Sequence, residues 1–287
     1  MIHTMKLSVL GSGGCSPIPK PCCSCRICRQ AREKGIPYSR SGPALFLHGI
    51  NLLVDTPAEI VQQLNRCSID AVEHLIFTHT DPDHVEGFRV VEQIALDFRT
   101  WKNYEDKQIA LVLPQYLHER IRRVCSAYGP LVSYYLQQGY IRTRKFQETT
   151  FIGAVHVTAL PVDRGDQTVY IYVFEESGRK VVYAPCDIRP FPENRSEVYD
   201  ADLLLIQPGI FEEGLKHGFV YPANHVSRNT LYTFPQTLAL ARRIRARKTV
   251  FIHMEEYWNR SHDDYLELER VHSQIRFAYD GMDLTVK

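Results

Sequence analysis

The segment His79–His84 sets the strongest constraint on how this chain folds and what it can bind. Its His-x-Asp-x-Asp-His pattern places four potential metal ligands within six residues, directly after the apolar stretch His74–Phe77. In an extended chain His79 and Asp81 point the same way, because side-chain direction alternates, and Pro82 then turns the chain. Imidazole and carboxylate groups suit Zn²⁺, Mn²⁺ or iron. The segment therefore predicts a metal site where a strand leaves its sheet, and the alternative is a polar loop that starts a helix.

Two residues farther along the chain extend this prediction. Asp187 follows the apolar run Lys180–Ala184, and His253 ends the run that starts at Thr249. Functional side chains gather where the strands of an α/β sheet end on one edge. We therefore expect Asp187 and His253 to lie near His79–His84 and to complete a site for one or two metal ions.

Strand-like and helix-like segments alternate along the whole chain, which favours an α/β fold. Segments 44–48 and 51–55 predict a hairpin. Helix-start signals then predict a helix that Thr56 caps and that has Pro57 at its first position. A later amphipathic helix is expected to bury a face that ends at Phe98, and another helix is expected over residues 229–244. With 287 residues and no long linker, the sequence predicts one domain over residues 1–287.

Composition and charge exclude several classes of protein. The net charge of +1 gives no general attraction to a polyanion. No apolar run approaches the roughly 20 residues that cross a bilayer, and the N-terminus lacks the apolar core of a secretory signal. We expect a cytoplasmic protein with no membrane partner. The basic run 242–248 suits the exposed last turn of a helix, so it gives little support to a nucleic-acid partner.

Four of the eight cysteines fall within the short segment 22–28. Because the chain shows no secretory signal, reduced thiols that hold a metal are favoured over a disulfide knot. Cys23, Cys25 and Cys28 have the spacing to share one tetrahedral Zn²⁺, whose fourth ligand comes from elsewhere in the chain. The segment predicts a structural zinc knuckle, and the alternative is a chance cluster of thiols.

Taken together, these motifs resemble the metallo-β-lactamase superfamily. Its signature is His-x-His-x-Asp-His, followed by a third His, a bridging Asp and a final His. The residues that match in order are His79, Asp83, His84, Asp187 and His253. Within the superfamily the chain is most similar to phosphodiesterases of the carbon–phosphorus lyase pathway, which open a cyclic phosphate on ribose, and to the pyrroloquinoline-quinone biosynthesis protein B group. The resemblance implies a four-layer αββα sandwich with metal ions at one edge, and it allows for a homodimer.

Two positions depart from the family pattern. Asp81 stands where the family has its second His, and Arg164 stands where it has its third. Both positions are ligands of the first metal in the family. In this chain that metal would keep His79 and Asp187 as ligands, with Asp81 as a substitute for the second His. A guanidinium cannot ligate a metal, so we expect one ion rather than two. Because carboxylates make up a larger share of the ligands, the expected metal preference shifts from Zn²⁺ toward Mn²⁺.

The resemblance also implies roles for single residues. Asp83 would hold and orient the attacking water, and His225 would donate a proton to the leaving group. For His225 the alternative is a solvated loop residue. Arg164 would pair with a substrate phosphate, or it is anchored on Asp163 or Asp166.

Supporting residues remain open at this point. The fourth ligand of the cysteine cluster is Glu256, which stands where the related phosphodiesterase has a His, or else Cys22 or His262. Asp55 either orients a ligand histidine or serves as a helix-start residue.

The sequence thus predicts a metal-dependent hydrolase that uses metal-activated water. Its expected substrate is a small phosphate ester, most simply a cyclic or nucleotide-like phosphodiester. The altered first metal position supports an alternative, a protein with the same fold that binds a metabolite in a biosynthetic pathway without hydrolysing it.

Overall fold

Two seven-stranded sheets dominate the structure, a computed structural model that describes residues 4–287. The strands, in chain order, are β1 (Met5–Gly11), β2 (Ala44–Leu47), β3 (Leu52–Val54), β4 (His74–Ile76), β5 (Leu96–Asp97), β6 (Lys102–Asn103), β7 (Ile109–Pro114), β8 (Cys125–Ser126), β9 (Gly129–Pro130), β10 (Ile141–Phe146), β11 (Thr149–Ile152), β12 (Val155–Asp163), β13 (Thr168–Glu176), β14 (Arg179–Ala184), β15 (Leu203–Ile206), β16 (Thr249–Phe251), β17 (Ile275–Phe277) and β18 (Met282–Val286).

The helices connect and cover these sheets. They are α1 (Arg26–Lys34), α2 (Ile60–Arg66), α3 (Pro82–Val85), α4 (Val90–Ala95), α5 (Gln115–Ile121), α6 (Leu131–Gln138), α7 (Ser227–Thr230), α8 (Phe234–Arg243) and α9 (His262–Val271). Within residues 4–287, every helix is too short or too polar to reach across a membrane.

Both sheets are mixed. The first has the order β10-β7-β4-β3-β2-β1-β18, and its strands β3, β4, β7 and β10 run parallel to one another. The second has the order β11-β12-β13-β14-β15-β16-β17, with antiparallel pairing up to β14 and parallel pairing from β14 to β17.

Strand β13 shows why the second sheet must be covered on both faces. Tyr170, Tyr172 and Phe174 belong to the core shared with the first sheet, whereas Ile171 and Val173 belong to a separate core on the opposite face. Each large apolar side chain contributes about 1.5–3 kcal/mol when fully buried. A strand that is apolar on both sides is therefore stable only between two layers.

Helices supply the outer layers. Leu240 of α8 and Tyr265 of α9 pack into the second core. Leu64 of α2, Val91 of α4 and Ile121 of α5 pack into the first. Helices, first sheet, second sheet and helices therefore follow in that order, which confirms the predicted αββα sandwich.

The hairpin of β2 and β3 is confirmed, with Leu47 paired to Leu52. The helix expected at Thr56 is wrong at its start, because α2 begins at Ile60. Thr56 does not cap it: its backbone N–H donates instead to the carbonyl of His84 at 2.7 Å. Tertiary pairing near the strand ends therefore overrides the local helix-start signal.

Two other helix predictions are wrong in extent. The helix with the expected Phe98 face ends at Ala95, and Phe98 is 70% exposed. The segment 229–244 is not one helix, because the chain is extended between α7 and α8. Thr233 restarts the helix there through a capping box with Gln236.

Candidate metal centre

The polar residues singled out in the sequence follow strands that end at one edge of the sandwich. Asp55 follows β3 and His79 follows β4 in the first sheet, while Arg164, Asp187 and His253 follow β12, β14 and β16 in the second. These three strands of the second sheet run in the same direction. The predicted convergence of Asp187 and His253 on His79–His84 is thus what the structure shows.

Asp83, His84 and His253 form a triangle of ligand atoms at the centre of this edge. Oδ2 of Asp83 lies 3.4 Å from Nε2 of His84 and 3.3 Å from Nε2 of His253, and the two Nε2 atoms are 3.4 Å apart. Bonds of about 2.0–2.2 Å to a tetrahedral zinc place neighbouring ligand atoms about 3.3–3.6 Å apart. The donor set and its spacing therefore fit one divalent ion.

A buried carboxylate stands behind each of the two histidines. Oδ2 of Asp55 lies 2.9 Å from Nδ1 of His84, and Oε1 of Glu255 lies 3.2 Å from Nδ1 of His253. Neither carboxylate residue is more than 4% exposed. Such contacts fix the ring orientation and leave Nε2 available to a metal. Of the two interpretations of Asp55, the one in which it orients a ligand histidine agrees with this geometry.

Gly14 makes room for Glu255. A Cβ atom at this glycine would lie 2.1 Å from Oε1 of Glu255. The neighbouring Cys15 donates its backbone N–H to the same oxygen at 3.2 Å. The glycine-rich segment near the N-terminus therefore serves as a close-packed support for the carboxylate behind His253.

Arg164 occupies the position expected for the first metal. Its Nη1 lies 2.7 Å from Oδ2 of Asp187 and donates to Oδ2 of Asp81 at 3.0 Å. Asp166 is farther away, with 3.7 Å between its Oδ1 and Nε of Arg164, and Asp163 accepts a hydrogen bond from a backbone N–H instead. Arg164 is thus held mainly by two of the predicted metal ligands; of the two anchors proposed from the sequence, Asp166 contributes a longer ion pair and Asp163 contributes none.

His79 lies beside these carboxylates. Its Nε2 is 3.3 Å from Oδ2 of Asp81, and the ligand atoms of His79, Asp81 and Asp187 lie within 4.8 Å of one another. Asp187 groups with this set and not with the triangle of Asp83, His84 and His253.

Electrostatics at the edge favour ionised side chains. Burial opposes the charged form of His79, but Cys186 and Asp81 raise its pKa to about 9. Burial also opposes ionisation of the Cys186 thiol, but the surrounding histidines outweigh it and lower the pKa of this thiol to about 6. Burial also opposes ionisation of Asp83, and His84 and His253 hold its pKa below the usual value.

Three residues of the site have left-handed backbone conformations. The φ angles are +64° at Asp55, +52° at Asp187 and +60° at His253. Such conformations are uncommon in residues other than glycine, and they cluster at functional sites where the surrounding structure holds them in place.

A cavity of about 270 Å³ opens above the centre and is lined by Arg164, Cys186, Val226 and Ser227, among others. His225 is not among the lining residues. Its Nδ1 accepts the backbone N–H of Ser227 at 3.2 Å, and its ring packs edge-on against Tyr221. The structure thus places His225 next to the cavity wall, and its role as proton donor stays a prediction.

The cysteine cluster gathers around Glu256. Oε1 of Glu256 lies 3.5, 3.2 and 3.3 Å from the Sγ atoms of Cys23, Cys25 and Cys28. Lys216 adds a cation whose Nζ lies 2.5 Å from the same oxygen. Of the three candidates for the fourth ligand, Glu256 is the one that groups with the thiols within residues 4–287.

Sequence reasoning missed two residues of the centre. Cys186 is buried, with its Sγ 3.5 Å from Nε2 of both His79 and His84. Glu255 supports His253 as described above. Both are close in sequence to predicted ligands, but their spacing matches no motif, so only their chain neighbours could have drawn attention to them.

Comparisons with known proteins show the family and the fold of the chain. The sequence matches the family described as beta-lactamase superfamily domain over residues 50–254, although no curated protein sequence matches the chain. The structure is similar to a diphosphatase of the PhnP family (20% identity, 99% of this chain, 98% of that chain, TM-score 0.74). It is also similar to Zn²⁺-bound PqqB from Methylobacterium extorquens (17% identity, 97% of this chain, 99% of that chain, TM-score 0.67). A third similar structure is the short form of human tRNase Z (15% identity, 98% of this chain, 99% of that chain, TM-score 0.62). Because the family match spans more than half of the sequence, the chain belongs to the beta-lactamase superfamily.

Proposed function

We propose that the chain is a metal-dependent hydrolase that acts on a small phosphodiester, cyclic or nucleotide-like. The observation that carries the proposal is the triangle of Asp83, His84 and His253, with ligand atoms 3.3–3.4 Å apart. Membership of the beta-lactamase superfamily supports the metal-dependent hydrolase. The cation of Arg164 in the cavity wall supports a phosphodiester as the substrate.

Each residue of the centre has a defined task in this proposal. When bound, a Zn²⁺ or Mn²⁺ ion lowers the pKa of a water molecule toward neutrality and stabilises negative charge on a phosphoryl oxygen. Asp83 remains a carboxylate at neutral pH because its pKa is lowered, so it can hold and orient the attacking water. Asp55 and Glu255 keep the two imidazoles in position.

Arg164 would bind the substrate through the part of its guanidinium that its carboxylate partners do not use. Nη1 makes both close contacts with Asp81 and Asp187, and Nη2 donates no hydrogen bond to a protein group within residues 4–287. A guanidinium has five N–H donors, so Nη2 can donate to a phosphate oxygen. His225, next to the cavity wall, would protonate the leaving group.

A small substrate fits the surface better than a nucleic acid does. Three arginines of the basic run already form ion pairs: Arg243 with Glu193 at 2.8 Å, Arg245 with Asp200 at 2.6 Å, and Arg247 with Asp202 at 2.7 Å. Neutralised cations offer little attraction to a phosphate backbone.

The proposal includes a second, structural ion at the cysteine cluster. Three thiols and the carboxylate of Glu256 form the four-ligand set that a closed zinc site requires. All eight cysteines are free, which suits the reducing cytoplasm as the setting of the protein.

One observation favours the alternative, a fold-keeping protein that binds a metabolite without hydrolysing it. The ion pairs of Arg164 with Asp81 and Asp187 take two carboxylates away from metal binding. A sheet edge with fewer ligand groups holds fewer metal ions. A protein that only binds a metabolite does not need those ions, because it catalyses no hydrolysis.

The test is hydrolysis of bis(p-nitrophenyl) phosphate by metal-free protein to which Zn²⁺ or Mn²⁺ is added back. We expect turnover that depends on the added metal and that falls about 10²–10⁴-fold in Asp83→Asn, as is typical when a group that handles the water is lost. Asp70→Asn is the matched control, since Asp70 is exposed and does not line the cavity above the centre.

Turnover that survives chelation, or that is unchanged in Asp83→Asn, would refute the proposal. If the edge binds metal but hydrolyses no phosphodiester, lactone or thioester, the metabolite-binding alternative replaces it.

A further inference from the structure

Cys186 is a buried thiol in the middle of the metal centre, and the function proposed above gives it no role. It is 5% exposed and follows β14. Its Sγ lies 3.5 Å from Nε2 of His79 and 3.5 Å from Nε2 of His84. The ligand atoms of these three residues lie within 4.8 Å of one another, so the thiol is as close to the histidines as a ligand would be.

The residue next to it, Asp187, is directed elsewhere. Its carboxylate pairs with Arg164 at 2.7 Å and groups with His79 and Asp81. Because a guanidinium stays charged at every accessible pH, Arg164 competes with any metal ion for the carboxylate of Asp187. The carboxylate of Asp187 is thus engaged away from Asp83, His84 and His253, the residues that would hold an ion at the centre.

We propose that Cys186, rather than Asp187, supplies the further protein ligand to the ion at the sheet edge. The inference rests on the proposed function, which places that ion at Asp83, His84 and His253. His84 belongs both to this triangle and to the group of His79, His84 and Cys186, so one imidazole connects the thiol to the residues that would hold the ion.

A thiolate changes which metal the centre prefers. Thiolate is a soft ligand that selects Zn²⁺, whereas Mn²⁺ prefers carboxylate and water oxygens. With Cys186 as a ligand in place of Asp187, the expected metal is Zn²⁺, whereas the carboxylate-rich sequence favoured Mn²⁺. Zinc is the ion expected at both metal sites of the chain.

The test uses Co²⁺ as a spectroscopic probe for the full chain, because thiolate ligands of Co²⁺ give charge-transfer absorption that imidazole and carboxylate ligands do not. With two equivalents bound, the wild-type absorption should correspond to four thiolate ligands: Cys23, Cys25, Cys28 and Cys186. In Cys186→Ser it should fall to the intensity of three. Cys67→Ser, which removes a thiol distant from both clusters, should leave it unchanged.

The outcomes separate this inference from the proposed function. Two bound ions with the absorption of three thiolates in the wild type would overturn the role of Cys186 and leave the edge site intact. So would loss of the second ion in Asp187→Asn but not in Cys186→Ser. Failure of the wild type to bind a second ion would refute the proposed function itself. The wild-type spectrum decides the first point even if a variant does not fold.

Discussion

At the scale of single residues, Arg164 sets how many ions the sheet edge can hold. Its Nη1 contacts Asp187 at 2.7 Å and Asp81 at 3.0 Å. Both carboxylates lie beside His79, where a cation would otherwise bind. The side chain of Arg164 therefore takes the place of a metal ion, and it does so with a charge that cannot be removed by deprotonation.

Replacing Arg164 should change the number of bound ions. Arg164→His frees Asp81 and Asp187 and adds an imidazole, so the chain should bind one more Zn²⁺ than the wild type does. Arg164→Lys keeps a cation at this position and should show the wild-type number. Native mass spectrometry counts the ions, and an unchanged number in Arg164→His would contradict the role given to Arg164.

At the scale of structural elements, the segment after β16 connects the two clusters. Glu255 contacts Nδ1 of His253 at the sheet edge, while the next residue, Glu256, contacts the thiols of the cysteine cluster. Both carboxylates are buried, at 4% and 3% exposure. Neighbouring residues of an extended chain point in opposite directions, so a single dipeptide can support two separate sites.

The two glutamates should therefore fail in different ways. Glu255→Gln removes the charge behind His253, and loss of such a partner lowers metal affinity about 10–100-fold. The edge ion should weaken while the cluster ion stays. Glu256→Gln should show the reverse, which makes each variant the control of the other. Titration with Zn²⁺ against a chelating indicator measures both affinities, and parallel losses in both variants would disprove the separation.

At the scale of the whole molecule, the cysteine cluster joins parts of the chain that are far apart in sequence. Cys25 and Glu256 are 231 positions apart, and Lys216 approaches from a third segment. An ion bound only in the folded state stabilises that state by its binding free energy. The cluster therefore stabilises the contact between the N-terminal loop and the segment that follows β16.

Loss of this ion should lower the melting temperature. Cys25→Ser removes a cluster thiol, and in a protein of this size each kcal/mol lost lowers Tm by about 2–4 °C. A chelator, which removes the edge ion as well, should bring the wild type to the Tm of the variant or below it. Cys125→Ser, at an exposed position, should melt like the wild type. Calorimetry measures all three, and a Cys25→Ser protein that melts like the wild type would refute the structural role of the ion.

Much of the fold was accessible from local sequence patterns. The β2–β3 hairpin and the strand before His79 formed as their apolar patterns predicted. The helix expected at Thr56 and the buried face expected to include Phe98 did not. At Thr56 a backbone hydrogen bond to His84 replaces the predicted helix start, and before Phe98 the helix ends at Ala95. Both outcomes depend on contacts with distant parts of the chain, which a local sequence pattern does not predict.

By itself, the sequence determined which kinds of side chain reach the sheet edge and in what order, because each follows an apolar strand whose end is a local property. Only the tertiary structure decided how they pair. Arg164 and Asp81 are 83 positions apart, and their ion pair arises because β4 and β12 end at the same edge. The same holds for Cys186 beside His79 and for Glu256 among the thiols. Contacts of this kind depend on how the sheets pack, so they assign Arg164 to two carboxylates and leave a thiol among the histidines.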